Sequence, residues 1–185
     1  MKISQEILDL KPYVPGRSVE EVQREFGLTS VCKLASNENP LGPSPKALAA
    51  IQNQLSELHR YPDGSYFALR QGIGNHYGVA AENVVCGNGS NELIDLLIRI
   101  FCEAGDKILI SEKSFIAYKV CAQAARVQVE EVPTDDNLGI DVEALIKAYD
   151  GHKIIFLPNP NNPTGSYINS SQLKRLLDEF GNRDD

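Results

Sequence analysis

The chain is predicted to be an α/β protein in which a mainly parallel sheet is covered by helices on both faces. Two patterns predict this. Short apolar runs at 83–86, 107–110, 127–132 and 154–157 have the length of strands, and helical periodicity fills 91–103, 115–125, 141–149 and 171–180. Strand alternating with helix is the order a parallel sheet requires, because a parallel neighbour is reached only through a crossover. The bulk composition agrees: 185 residues, 42% hydrophobic and 23% charged, suffice for one moderate core.

The elements before this alternation form an N-terminal arm and a helical pair. Ser18 and Glu21 have capping-box spacing ahead of a short helix. Residues 31–36 read as extended and lead into a loop rich in Asn and Pro. Ser44-Pro45 supplies an N-cap and a proline for a first turn, and Ala47, Leu48, Ile51 and Leu55 recur at helical spacing, predicting a helix over 45–57. A second helix is expected after Ser65, with Leu69 and Ile73 on one face and Gly78 at its end; Gly72 and Gly74 lower its intrinsic propensity. The last helix ends near Phe180-Gly181, and 182–185 read as a connection to a further strand.

A net charge of -7 disfavours nucleic acid or an anionic membrane as partner. The N-terminus lacks the apolar run of a secretory signal, and the most apolar stretch, 93–102, is broken by Asp95 and Arg99, so a cytoplasmic protein without a membrane span is expected. Cys32, Cys86, Cys102 and Cys121 are widely spaced and have no CxxC pairing, so neither a disulfide framework nor a metal site follows.

Two segments carry chemistry. Gly87-Asn88-Gly89-Ser90-Asn91-Glu92 passes from an apolar run through two glycines into a helix, where free N–H groups and the helix dipole favour an anion, with Ser90 and Asn91 adding side-chain donors. A dinucleotide fingerprint needs a third glycine where Glu92 stands. The second segment, Asn159-Pro160-Asn161-Asn162-Pro163-Thr164-Gly165, directly follows an apolar strand. Its prolines fix a turn at a strand's C-terminal end, the position where open α/β sheets bind ligands, and present amides there.

These two motifs, with Lys11-Pro12-Tyr13-Val14-Pro15-Gly16, Ala35-Ser36-Asn37-Glu38-Asn39-Pro40-Leu41-Gly42 and Arg60-Tyr61-Pro62-Asp63-Gly64 in the same order, resemble the class I/II aminotransferases of pyridoxal-phosphate fold type I, in their histidinol-phosphate aminotransferase branch. The resemblance covers essentially all 185 residues. It implies an N-terminal arm and part of a small domain over 1–43, and the front of a large cofactor-binding domain over 44–185. It further implies that Ser90 and Asn91 hold the phosphate of pyridoxal 5'-phosphate, that Asn162 binds its 3'-oxygen, and that Phe115 stacks on its ring. Many relatives carry tyrosine at that last position; stacking needs only the π-face. Tyr61 would reach the neighbouring subunit's cofactor in a homodimer, and Tyr13 and Asn39 would lie near the amino-acid substrate.

The same resemblance implies a Schiff-base lysine, an acid beside the pyridine nitrogen and a substrate-carboxylate arginine, all expected beyond Asp185. The expected activity, transamination of L-histidinol phosphate with 2-oxoglutarate in histidine biosynthesis, therefore belongs to a complete protein. The 185 residues alone are expected to be inactive and to purify poorly. Other fold-type-I enzymes (aromatic or aspartate aminotransferases, a threonine-phosphate decarboxylase) share the cofactor motifs, and a non-catalytic remnant or interaction module is the rival from another class.

Overall fold

A computed structural model describes residue 3, residues 5–11 and residues 15–181. They fall into two compact units, one of residues 14–86 and one of residues 87–185 together with the first thirteen.

In the 14–86 unit, α2 (Val19–Phe26) begins at Ser18, whose hydroxyl accepts the Glu21 N–H, and ends at Gly27 in the left-handed region. The next helix, α3 (Pro45–Gln54), has Pro45 in its first turn and tightens into a 3-10 turn over Leu55–Glu57, so the expected 45–57 span is one α-helix with a 3-10 extension. Ser44 occupies the N-cap position but makes no side-chain cap. Helix α4 (Phe67–Tyr77) closes on Gly78, left-handed at φ 70°, as expected. Gly74 inside it is required by close approach: a Cβ there would lie 2.7 Å from the Val79 carbonyl oxygen. The stretch 83–86, expected as a strand, is not one. No neighbouring strand among the described residues pairs with it; Val84 is buried while Val85 is 73% exposed.

In the other unit, a short α1 (Gln5–Leu8) contacts α6, and the sheet carries the core. Strands β1 (Lys107–Ser111), β2 (Gln128–Val132) and β3 (Ile154–Phe156) are parallel in the order β2-β1-β3, with Ile108 paired to Val129 and to Ile154. Side-chain alternation divides the core in two. Ile108 and Ile110 face Ile94 and Ile98 of α5 (Gly89–Phe101) and Ala117, Tyr118 and Ala122 of α6 (Ala117–Ala124). Leu109 faces the other way, onto Leu145 of α7 (Val142–Ala148), Ile168, and Leu176 of α8 (Ser170–Phe180). Central β1 is therefore buried on both faces, whereas edge strand β2 carries Glu130 and Glu131, which keep that edge polar.

The strand order explains which helix goes where. The step from β1 to β2 and the step from β2 to β3 run in opposite directions along the sheet. Right-handed crossovers then place α6 and α7 on opposite faces, as the two core clusters record.

Candidate functional site

Neighbouring strands β1 and β3 send their exit loops to opposite faces: β1 leads into α6 on one, β3 into α8 on the other. A crevice opens where adjacent parallel strands diverge in this way, at their C-terminal ends. Phe115 lies on the first of these loops and Asn162 on the second. Helix α5 packs through Ile94 and Ile98 on the β1–α6 face and feeds β1 through a short connection, so it runs antiparallel to the strands. Its N-terminus, with Ser90 and Asn91, thus lies toward the same edge of the sheet.

The start of α5 is open for hydrogen bonding. Gly89 turns the chain at φ 77°, a conformation that L side chains rarely adopt, and the side chain of the N-cap residue Asn88 caps no backbone N–H of the helix. Asn88 instead serves Glu92: its N–H donates to Glu92 Oε2 at 2.5 Å, and its amide donates to both carboxylate oxygens at 3.1 and 3.2 Å. Those bonds, the backbone one foremost, hold the Glu92 carboxyl below the usual carboxylate range. Ser90 and Asn91 are exposed in the uncapped first turn. Donors without protein partners at a helix start suit a phosphate group.

The Phe115 ring is half-buried against the β1–α6 core and meets Tyr118 edge-to-face, with centroids 5.9 Å apart; Tyr118 stacks in turn on Phe156. The aromatic surface is therefore braced from behind.

The Asn/Pro loop is fixed by its other asparagines. Asn159 pins it with a reciprocal pair: its amide donates to the Ile168 carbonyl at 3.3 Å, and its Oδ1 accepts the Ile168 N–H at 3.1 Å. Asn161 is 3% exposed and donates through Nδ2 to the Lys113 carbonyl at 3.1 Å and to Thr164 Oγ1 at 2.8 Å. Next to it, Asn162 is exposed. Among the described residues, the buried side-chain polar atoms without a hydrogen-bond partner are Ser111 Oγ, Ser114 Oγ and Asn161 Oδ1, and all three lie at the ends of β1 and β3. Buried polar atoms left without a protein partner therefore concentrate at and just beyond the C-terminal ends of these two strands.

The family model for aminotransferase class I and II matches residues 29–181. The chain belongs to the class I and II aminotransferases. As a member of that family it is 48% identical over 190 residues to histidinol-phosphate aminotransferase of Bdellovibrio bacteriovorus, an alignment covering 100% of this chain and 51% of the relative. It is 47% identical over 173 residues to histidinol-phosphate aminotransferase of an Anaeromyxobacter species, covering 93% and 48%. Among solved structures, histidinol-phosphate aminotransferase from Sinorhizobium meliloti in complex with pyridoxal-5'-phosphate superimposes with a TM-score of 0.84 at 23% identity, over 96% of this chain and 48% of that one. The enzyme from Clostridium acetobutylicum gives 0.68 at 34% identity, over 77% and 42%. The fold of this aminotransferase chain is accordingly that of the fold-type-I transferases. The chain spans about half the length of the curated relatives it matches.

Of the other residues picked out in the sequence, Tyr61 is fully exposed in the 14–86 unit. Asn39 is exposed and closes its own turn, its Oδ1 accepting the Leu41 N–H at 3.0 Å and its amide donating to the Gly42 carbonyl at 3.4 Å. Tyr13 lies outside the described residues. Asn161, Thr164 and Ser111 were not singled out in the sequence. Asn161 and Thr164 stand inside the motif, but the pattern does not reveal which asparagine turns inward. Among the described residues, no helix is long and apolar enough to cross a membrane, and all four cysteines are free.

Proposed function

We propose that the complete protein is a pyridoxal-phosphate-dependent aminotransferase that exchanges the amino group between L-histidinol phosphate and 2-oxoglutarate, in histidine biosynthesis. The observation that carries the cofactor half is the divergence of the β1 and β3 exit loops, with Phe115 on one and Asn162 on the other, beside the uncapped start of α5. The substrate half rests on the 48% identity to a histidinol-phosphate aminotransferase along the whole chain. Fold cannot choose the substrate, since an alanine aminotransferase from Pyrococcus furiosus and an aspartate aminotransferase from Thermus thermophilus both superimpose with TM-scores of 0.79.

Each residue of the crevice suits a part of the cofactor. In this reading the N–H groups of Ser90 and Asn91, the Ser90 hydroxyl and the Asn91 amide donate to the phosphate, with the helix dipole adding partial positive charge. Asn162 donates its amide to the 3'-oxygen. Phe115 covers one face of the ring and, braced by Tyr118, holds it at a fixed height. Tyr61 donates its phenol to the phosphate in the neighbouring subunit of a homodimer, and Tyr13 and Asn39 line the substrate side. When bound, pyridoxal phosphate supplies the electron sink that makes amino transfer possible. The lysine that anchors it, the acid at its ring nitrogen and the arginine for the substrate carboxylate come from the remainder of the complete protein.

A competition assay tests this reading. The full-length protein with pyridoxal phosphate and 2-oxoglutarate is offered L-histidinol phosphate, phenylalanine and threonine phosphate. The expected result is a kcat/KM for L-histidinol phosphate at least about tenfold above the others, a discrimination of roughly 1.4 kcal/mol. Preference for phenylalanine would assign an aromatic aminotransferase, release of carbon dioxide from threonine phosphate would assign a decarboxylase, and turnover of none would leave a binding role.

A further inference from the structure

Asn161 separates itself from its neighbour in the motif. Asn162 is exposed, while Asn161 is buried and spends both hydrogens of its amide inside the protein. One goes to the Lys113 carbonyl, two residues before Phe115, and so crosses from the β3 exit loop to the β1 exit loop, 48 residues away in sequence. The other goes to Thr164 Oγ1. Ser166 Oγ donates to the Leu138 carbonyl at 3.2 Å, which leaves it free only to accept from Thr164 Oγ1 at 2.8 Å. The direction of the whole chain is thereby set: Asn161 amide to Thr164 hydroxyl to Ser166 hydroxyl to Leu138 carbonyl. Backbone bonds lock the same residue, with Asn161 N–H on the Ser166 carbonyl at 2.7 Å and Gly165 N–H on the Asn161 carbonyl at 2.8 Å.

We infer that Asn161 is a positioning residue that clamps the two crevice loops together, holding Asn162 in register with Phe115. The inference rests on the cofactor reading given above. Loops that diverge to opposite faces of a sheet have no ladder to hold them together beyond the strands, so a side-chain cross-link at their base fixes their separation. The separation matters because one loop carries the ring contact and the other the contact to the 3'-oxygen; a shift of either by about 1 Å costs on the order of a hundredfold in a positioned reaction.

The test uses the full-length holoenzyme and three variants: Asn161→Ala, Thr164→Val and Asn162→Ala. Three quantities are read: the dissociation constant for pyridoxal phosphate, the pH at which the visible absorption of the bound cofactor changes, and kcat and KM separately. Asn162→Ala should move the absorption midpoint directly. Asn161→Ala, with its far-ultraviolet circular dichroism unchanged, is expected to move that midpoint in the same direction, to weaken cofactor binding about tenfold or more, and to lower kcat more than it raises KM. Thr164→Val, which keeps the bond to Lys113 and loses the hydroxyl chain, should give a smaller shift of the same sign. It decides the matter if Asn161→Ala does not fold. Wild-type midpoint and affinity in Asn161→Ala and Thr164→Val, beside a shifted Asn162→Ala, would overturn the positioning role and leave the cofactor reading standing. A silent Asn162→Ala would overturn the cofactor reading itself.

Discussion

The Glu92 carboxylate folds back over the turn that precedes α5 and takes three hydrogen bonds from Asn88. Its acid is thereby held below the usual value of 4.5. A carboxyl depressed on folding contributes stability that is present above its unfolded pKa and lost as the pH falls through the folded one. The full-length protein should therefore lose this contribution only below about pH 4.5, and Glu92→Gln should flatten the fall of Tm with acidification in that range; equal acid sensitivity in the two proteins would remove Glu92 from the turn. Beside it, Gly89→Ala puts a Cβ on a residue at φ 77° and should weaken pyridoxal phosphate binding by roughly 1 kcal/mol, read by equilibrium titration. Burial pushes the thiols of Cys102 and Cys121 up, with Asp106 and Asp95 respectively adding to the effect. They should form thiolate later than a free cysteine as pH rises, and alkylation rates followed by mass spectrometry should place both among the slow sites.

At the scale of elements, the helices were largely legible because their ends are written in side chains. The Ser18 cap, Pro45 in a first turn and Gly78 at a terminus each act locally, through bonds or dihedrals that need no distant partner. Asp63 shows the limit. The turn from Ser65 into α4 depends on the Asp63 carboxylate accepting from the Ser65 and Phe67 N–H groups, while the N-cap position itself is Tyr66 in the left-handed region. The strand expected at 83–86 failed for a related reason: a short apolar run is compatible with a strand, but a strand exists only through a paired neighbour, and the three paired strands among the described residues lie elsewhere. In the site, the motif identified the loop, yet only burial distinguishes the inward Asn161 from the exposed Asn162. Ile98 and Leu109 are 0% exposed on opposite faces of the sheet, and truncating either to alanine should cost about 2–5 kcal/mol in urea unfolding of the full-length protein. A loss below about 1 kcal/mol at Leu109 would mean the α7–α8 face is not packed as described.

For the whole molecule, the strand order β2-β1-β3 does most to place the candidate site. It puts α5 and α6 on one face and α7 and α8 on the other, and it opens the crevice between β1 and β3. That order could not be read from the chain, since alternating strands and helices are compatible with many arrangements. Subunit sharing of the site is tested by Tyr61. Its side chain is fully exposed in its own unit, so in the proposed homodimer Tyr61→Phe should leave Tm and the oligomer mass unchanged while weakening pyridoxal phosphate binding by about 1 kcal/mol. The same affinity in both proteins would place the phenol outside the site. The decisive measurement is a crystal structure of the complete protein with pyridoxal phosphate. The expected result has the phosphate on the Ser90 and Asn91 donors, the 3'-oxygen on the Asn162 amide, the ring on Phe115 and Tyr61 of the partner subunit at the phosphate. A cofactor bound away from the β1–β3 crevice, or none bound at saturating concentration, would contradict it.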